Sequence, residues 1–303
     1  MGRNSLQIPM FSPQTEWTPP DELKDLSQAK QIAIDLETRD PNLTTLGSGS
    51  VRNDGEIVGI AVAVDGWQGY FPIAHEGGGN IDKKIVMDWF KDILRTPATK
   101  IFHNAMYDVS WIRASGLHIV GKIVDTMIAG SLVNENRLRY NLDSLAKEYV
   151  GMGKNEKLLF EAAKEWGVNP KKEMWRLPAM HVGEYAEQDA VATLKLWERM
   201  QQELTTQDLW DIFNVETELF PCLVDMKFKG VRVDLEKAHK IKKDLVKEEK
   251  QYLKKIKDDT GLDVEIWAAA SIAKVFDKLK LPYDRTATGA PSFTKNFLSQ
   301  HPN

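Results

Sequence analysis

An Asp and a Glu separated by one residue can share a metal ion when they sit on a strand, because side chains two apart point to the same face. With the Asp first and the Glu two residues on, the 303-residue chain carries this pattern four times, at Asp35/Glu37, Asp54/Glu56, Asp234/Glu236 and Asp263/Glu265. Context separates them. Asp54-Gly55-Glu56 reads as a turn, Asp234 as the cap of a lysine-rich helix, and Asp263, between Gly261 and Trp267, as part of a polar connection. Asp35 and Glu37 alone close an apolar run, Ile32-Ala33-Ile34. Two carboxylates at the end of a buried strand are costly unless cations neutralise them. Hard oxygen donors of this kind suit Mg2+ or Mn2+.

Two further stretches carry candidate groups. In His103-Asn104-Ala105-Met106-Tyr107-Asp108, a short strand turns into a helix. Asp108 there can supply a third carboxylate and Asn104 can hydrogen-bond a substrate; equally, Asn104 can cap the helix and Asp108 can be a first-turn acid favoured by the helix dipole. In Tyr185-Ala186-Glu187-Gln188-Asp189, Tyr185 and Asp189 are four apart and share one helix face. Taken alone this is a half-buried tyrosine beside a chance acid. Taken together, four carboxylates on three elements, with an Asn and a Tyr at fixed offsets, point to one pocket.

The elements that must position these groups follow from periodicity. Ile32–Ile34 leads a strand into Asp35. Ile57 to Val64 and Gln68 to Ile73 are strands joined by Asp65-Gly66, a strong hairpin signal. Gly77-Gly78-Gly79 is a loop. Residues 82–95 form a helix with Ile85, Trp89 and Ile93 as its apolar stripe. Lys100 to His103 is a strand, Ala105 to Ser115 a helix stopped by Gly116, and Ile119 to Val124 another strand. Helices follow over 141–150, stopped by Gly151, and over about 182–204. Three antiparallel strands, then alternating helix and strand, then helices give an α/β fold. By analogy it is ribonuclease H-like, a mixed sheet flanked by helices, followed by a smaller mainly helical region.

Composition bounds the remainder. With 40 Lys+Arg against 44 Asp+Glu the formal charge is −4, which argues against a bulk electrostatic coat for nucleic acid but not against a small metal site facing phosphates. The single cysteine, Cys222, excludes a disulfide framework and a cysteine-based zinc cluster, and favours a reducing, cytoplasmic setting. The first residues lack the apolar core of a signal peptide, and Leu6 stands where myristoylation needs Ser or Thr. No apolar run is long enough to span a bilayer. Pro9, Pro13, Pro19 and Pro20 make residues 1–28 an extended arm. Between Asp225 and Lys257, 12 basic residues face 6 acidic ones, while Ala238, Ile241, Leu245, Tyr252 and Ile256 keep helical spacing. The lysines there are either a solvated helix face or a helix passing near a phosphate backbone. Gly151-Met152-Gly153-Lys154 has neither the spacing nor the Ser or Thr of a phosphate-binding loop. The histidines make no metal-ligand pair, and Trp111 and Trp197 read as packing residues.

The three ordered motifs, Asp35-Leu36-Glu37, Asn104 to Asp108 and Tyr185 to Asp189, resemble the proofreading 3′→5′ exonuclease domain of family A DNA polymerases, of the phage-like kind. They look like the DEDD nuclease set in its tyrosine version; the histidine version would need His at position 184, which is Glu184. Ile57 to Ala61, Asp125-Thr126, Asn141 to Ala146 and Met174 to Pro178 are similar to the same family. The match spans residues 29–205. Beyond it, Lys229 to Asp234 resembles the join to a polymerase region and Thr288 to Phe293 the tip of a thumb, so 206–303 is expected to be a helical, partial thumb-like region. Palm and fingers have no counterpart. The expected partner is therefore a separate polymerase polypeptide or the remainder of a longer chain.

The resemblance implies two-metal hydrolysis of the 3′-terminal phosphodiester of DNA, releasing nucleoside monophosphates. It implies Asp35, Glu37, Asp108 and Asp189 as ligands of two divalent ions, Mg2+ or Mn2+, and Tyr185 as the group that aims the attacking water. Leu36, Asn104 and Tyr107 are implied as neighbours of the last nucleotide. Two other readings stand beside it: an exoribonuclease of the same fold, because the metal chemistry ignores the sugar, and a non-catalytic DNA-holding subunit working through the lysine-rich helix.

Overall fold

The computed structural model describes residues 14–153 and 155–302. Pro9 and Pro13 of the expected arm, and Lys154, lie outside the described residues. Residues 14–28 contain neither helix nor strand, in keeping with Pro19 and Pro20.

Five strands form one sheet. β1 (Gln31–Arg39) is followed by two single helical turns, α1 (Leu43–Leu46) and α2 (Gly49–Arg52). β2 (Glu56–Val64) and β3 (Trp67–Pro72) complete an antiparallel meander, turning at Asp65-Gly66 with Gly66 at φ 74°. α3 (Lys83–Arg95) crosses to β4 (Thr99–Phe102), and α4 (Ala105–Ala114) to β5 (Ile123–Asp125). Both of these later strands run parallel to β1, giving the order β3-β2-β1-β4-β5. The helices α5 (Thr126–Val133), α6 (Leu142–Val150), α7 (Lys157–Glu165), α8 (Gly183–Thr206) and α9 (Trp210–Lys229) follow. The mixed sheet flanked by helices is the ribonuclease H-like arrangement expected from the element order.

Alternation along β1 divides the core. Ile32, Ile34 and Leu36 pack on one face with Phe71, Phe90, Ile93 and Ile112, under α3 and α4. Ala33 lies on the other face with Ala61, Tyr70, Val124 and residues of α5, α6 and α8. Asp35 and Glu37 share the face of Ala33, so they point toward the α8 side. Small residues on that face, Ala33, Ala61, Ala63 and Gly59, let the 24-residue α8 lie close across the sheet centre.

Two local expectations are corrected. The buried face of α3 is Val86, Phe90, Ile93 and Leu94, while Ile85 is 57% exposed, because the stripe follows the 3.6-residue period one position later than a simple spacing of four suggests. The strand expected at Ile119–Val124 is only Ile123–Asp125; Gly121, at φ 85° against the carbonyls of Pro97 and Ala98, interrupts it.

The described residues divide into two compact units between Gly230 and Val231. The boundary expected at residue 205 precedes α9, whereas the first unit includes that helix: Phe213 packs on Trp197, and Phe220 and Val224 join the α4 side of the core. The second unit contains α10 (Leu235–Thr260), α11 (Ala269–Lys278), a small antiparallel pair β6 (Asp284–Arg285) and β7 (Pro291–Ser292), and α12 (Lys295–Gln300). Asp234 caps α10 by accepting from the Lys237 amide, as its position before the lysine-rich run suggests. Phe276, Tyr283, Phe293 and Phe297 form its aromatic cluster. The apolar stripe of α10 stays open, with Ile241, Leu245 and Tyr252 all exposed.

Gly59, paired with Glu37, faces the phenol of Tyr70; a Cβ there would stand 1.9 Å from its oxygen. Tyr70 cannot yield, because its hydroxyl bonds His75 Nε2 at 2.6 Å and His75 Nδ1 bonds the Leu177 carbonyl at 3.0 Å. Burial pushes the His75 imidazole down to about 4, so the neutral ring donates from Nδ1 and accepts from Tyr70. Gly59→Ala should therefore cost about 1–3 kcal/mol of folding free energy, read as a lower urea midpoint; an unchanged midpoint would contradict the tight contact.

Candidate active site

Three elements bring the sequence-predicted acids to the end of β1. β1 itself supplies Asp35 and Glu37, both half-buried. α4 supplies Asp108, which is 4% exposed and accepts the Leu36 amide at 3.0 Å through Oδ1. α8 supplies Tyr185 and Asp189 one turn apart, with the phenol hydrogen-bonded to the Asp189 carboxylate.

The turn that aims Asp108 is held by Asp125, which in sequence stands out only by its similarity to the family flanking the motifs. Asn104 sits at φ 63° and its side chain makes no cap hydrogen bond, so the expected Asn cap is absent. Asp125 does this work. Its carboxylate accepts the amides of Asn104 at 2.9 Å, Ala105 at 2.8 Å and Met127 at 2.8 Å, joining the starts of α4 and α5. Glu187 acts similarly on α8: it accepts the Trp17 indole N–H and the Tyr70 amide, both at 3.0 Å, and ties the helix to the sheet edge. Its position between Tyr185 and Asp189 was visible in the sequence; its partners, far away in the chain, were not.

Electrostatics tie the acids together. Burial, then the charge of Asp35, holds the Asp108 carboxyl well above the usual carboxylate range, and Asp125 adds to the effect. Burial also raises Asp125 itself. Burial, then Asp189, Glu37 and Asp35 in turn, push the Tyr185 phenol above its ordinary value, so it stays protonated. Tyr107 is pushed up to about 12, mainly by burial, while its hydroxyl bonds Thr38 Oγ1 at 2.6 Å.

A cleft of about 370 Å³ opens beside these groups. Five of the expected residues line it: Leu36, Glu37, Asn104, Tyr107 and Tyr185. Leu36 contributes mostly to the apolar core beneath. Lys171 and Lys172, which belong to no recognisable motif in the sequence, also line it.

The donor set fits a hard divalent cation: four carboxylates, no thiol, and buried negative charge that lifts Asp108. Among the described residues no three acidic, imidazole or thiol groups converge closely enough to hold a metal ion as they stand.

A family model of the 3′-5′ exonuclease of DNA polymerase A matches residues 11–205. The chain therefore belongs to the 3′-5′ exonuclease family associated with family A DNA polymerases. It is 35% identical to a DNA-directed DNA polymerase of Pseudomonas phage M6, over 98% of this chain and 47% of that protein. It spans less than half the length of the first curated polymerases it matches. In fold it is similar to the POL domain of Pol1 from M. smegmatis, solved in complex with DNA primer-template and dNTP, with a TM-score of 0.58 and 17% identity, covering 90% of this chain and 42% of that one. Brucella melitensis NrnC with bound Mg2+ shares the fold at a TM-score of 0.50 and 19% identity, covering 70% and 92% respectively.

The raised carboxyls of Asp108 and Asp125 fix the sign of a pH effect. Each binds a proton more tightly folded than unfolded. Their contribution is full below an unfolded carboxylate's value of about 4 and is lost as pH rises through the higher folded value. In EDTA, Tm should fall as pH rises from about 4 toward neutrality, with a smaller fall in Asp108→Asn. Mg2+ at neutral pH should raise the wild-type Tm more than that of Asp108→Asn. Identical pH profiles for the two proteins in thermal melts would contradict the burial argument.

Proposed function

We propose that this chain hydrolyses the 3′-terminal phosphodiester of DNA, at single-stranded or frayed ends, releasing nucleoside monophosphates. It would proofread for a family A polymerase, either within a longer polypeptide or beside a separate one. The observation that carries this reading is the joint action of Asp35, Glu37 and Asp189 on Tyr185 at the edge of a cleft, in a chain of the 3′-5′ exonuclease family. The Mg2+ of a fold neighbour and the polymerase context of the relatives support it.

Asp35, Glu37, Asp108 and Asp189 would hold two divalent ions, Mg2+ or Mn2+. When bound, such ions screen the phosphodiester, make a water more acidic and stabilise the departing 3′-oxygen. The chain's own groups do the remainder. The raised Tyr185 phenol keeps its proton, so it orients the attacking water by hydrogen bonding and does not serve as the base. Asp108 is held through Oδ1 by the Leu36 amide, and its second oxygen would be the one offered to an ion. Asn104, whose side chain has no capping duty, can hydrogen-bond the terminal nucleotide, with Tyr107 and Leu36 as its neighbours in the cleft. Among the described residues no helix is long and apolar enough to cross a membrane; the proposed setting is the cytoplasm, that of the host if the chain is phage-encoded.

Asp35→Ala and Asp189→Ala should each abolish metal-dependent digestion of a 3′-labelled oligonucleotide while leaving the circular dichroism spectrum unchanged. Tyr185→Phe should slow it by about 100-fold or less, since it removes orientation and not a ligand. EDTA should silence the enzyme, and Mg2+ or Mn2+ restore it. Matched DNA and RNA substrates decide the sugar: faster digestion of RNA would replace this reading with an exoribonuclease.

A further inference from the structure

The cleft is lined by acids, hydroxyls and apolar groups, and the cations lining it are Lys171 and Lys172. Both come from one short turn whose shape is set by its own hydrogen bonds. Asn169 Oδ1 accepts the amides of Lys171 and Lys172, each at 3.0 Å. The Asn169 amide donates to Glu173 Oε2 at 2.9 Å, and the Glu173 amide returns to the Asn169 carbonyl at 2.9 Å. Glu173 is anchored in turn by Arg176 at 2.9 Å. The backbone carrying the two lysines is thus fixed, while their side chains remain long and exposed.

Lys171 is directed at the reactive end of the cleft. Its ammonium lies 5.2 Å from the centroid of the Tyr185 ring and pairs with Glu156. A cation over an exposed aromatic face and an exposed ion pair are both weak in water. Neither holds the ammonium against a phosphate. A strand entering the cleft brings more than the scissile phosphodiester: the next phosphate along is also anionic. Carboxylates on the β1 side would repel it, and ions held by those carboxylates serve the terminal phosphate. A cation lining the same cleft beside Tyr185, able to exchange a carboxylate for a phosphate, meets that need.

We propose that Lys171 and Lys172 form the subsite for the phosphodiester one step in from the 3′ terminus, with Glu156 as the counter-ion that Lys171 releases when the strand arrives. The inference rests on the nucleic-acid reading above and adds where the strand lies: across the Asn169–Glu173 turn. The lysines are positioning residues here, since they touch a phosphate that does not react.

Binding in EDTA separates this inference from cleavage. Fluorescein-labelled octathymidylate is titrated with the full chain between about 50 and 200 mM KCl. Each phosphate contact on a single strand contributes about 0.7 to the slope of log affinity against log salt. The slope should shrink by about 0.7 in K171A or K172A and by about 1.4 in the double variant, and K171R/K172R should keep most of it. Glu156→Gln should tighten binding, and the gain should vanish in a K171A background. A slope unchanged in the double variant overturns the subsite.

A second measurement guards against a merely structural effect through the Tyr185 ring. In Mg2+, the double variant should raise KM for octathymidylate more than for the p-nitrophenyl ester of thymidine 5′-monophosphate, which carries a single phosphodiester. Equal losses on both substrates overturn the proposal and assign the lysines to packing. A wild-type chain that binds the strand but cleaves neither substrate defeats the exonuclease reading, while the salt slopes still decide the lysines.

Discussion

Carboxylates crowded at the end of a central strand impose the constraint from which the remaining structure follows. Burial and the charge of Asp35 raise the cost of ionising Asp108, and Asp35 and Glu37, with Asp189 at Tyr185, raise that of the neighbouring phenols Tyr70 and Tyr185. A protein interior tolerates such a group of like charges only where something else in the fold is over-determined or a cation is supplied. Here the supporting contacts are numerous. Asp125 joins the starts of two helices, Glu187 ties α8 to the edge strand and Trp17, and the Tyr70–His75–Leu177 chain locks the floor of the site.

The sheet explains why such a cluster can be built at all. The parallel pairing of β4 with β1 puts the start of α4 beside the middle of β1, so that Asp108 reaches the Leu36 amide. Small residues on the α8 face let the helix approach within reach of Asp35 and Glu37, and Gly59 yields its side-chain space to Tyr70. The acids sit on a rigid strand and two packed helices, whereas the lysines that line the cleft sit on a turn. That division suits a site in which ligands must be fixed and a flexible strand must be admitted.

The second unit adds a different kind of surface. The lysine-rich α10 keeps almost every residue exposed, including apolar ones, while α11, the small strand pair and α12 gather around Phe276. Polymerase relatives more than twice as long as this chain match it from near one end to the other.

Much of this was legible in the chain as written. The strand before Asp35, the Asp65-Gly66 hairpin, the helix after Asn104 and the i, i+4 pair Tyr185/Asp189 all follow from short-range periodicity and turn chemistry, which act within a few residues. The exposed Ile85, the shortened β5, the membership of α9 in the first unit, the replacement of an Asn104 cap by Asp125, and the arrival of Lys171 and Lys172 in the cleft that Glu37 lines did not. Each depends on groups tens of residues apart meeting in space. Spacing along a chain decides which side chains share a face, so the identity of the acids was fixed there; only packing decides which faces meet, and so only the tertiary structure determined what holds those acids and what else lines the cleft beside them.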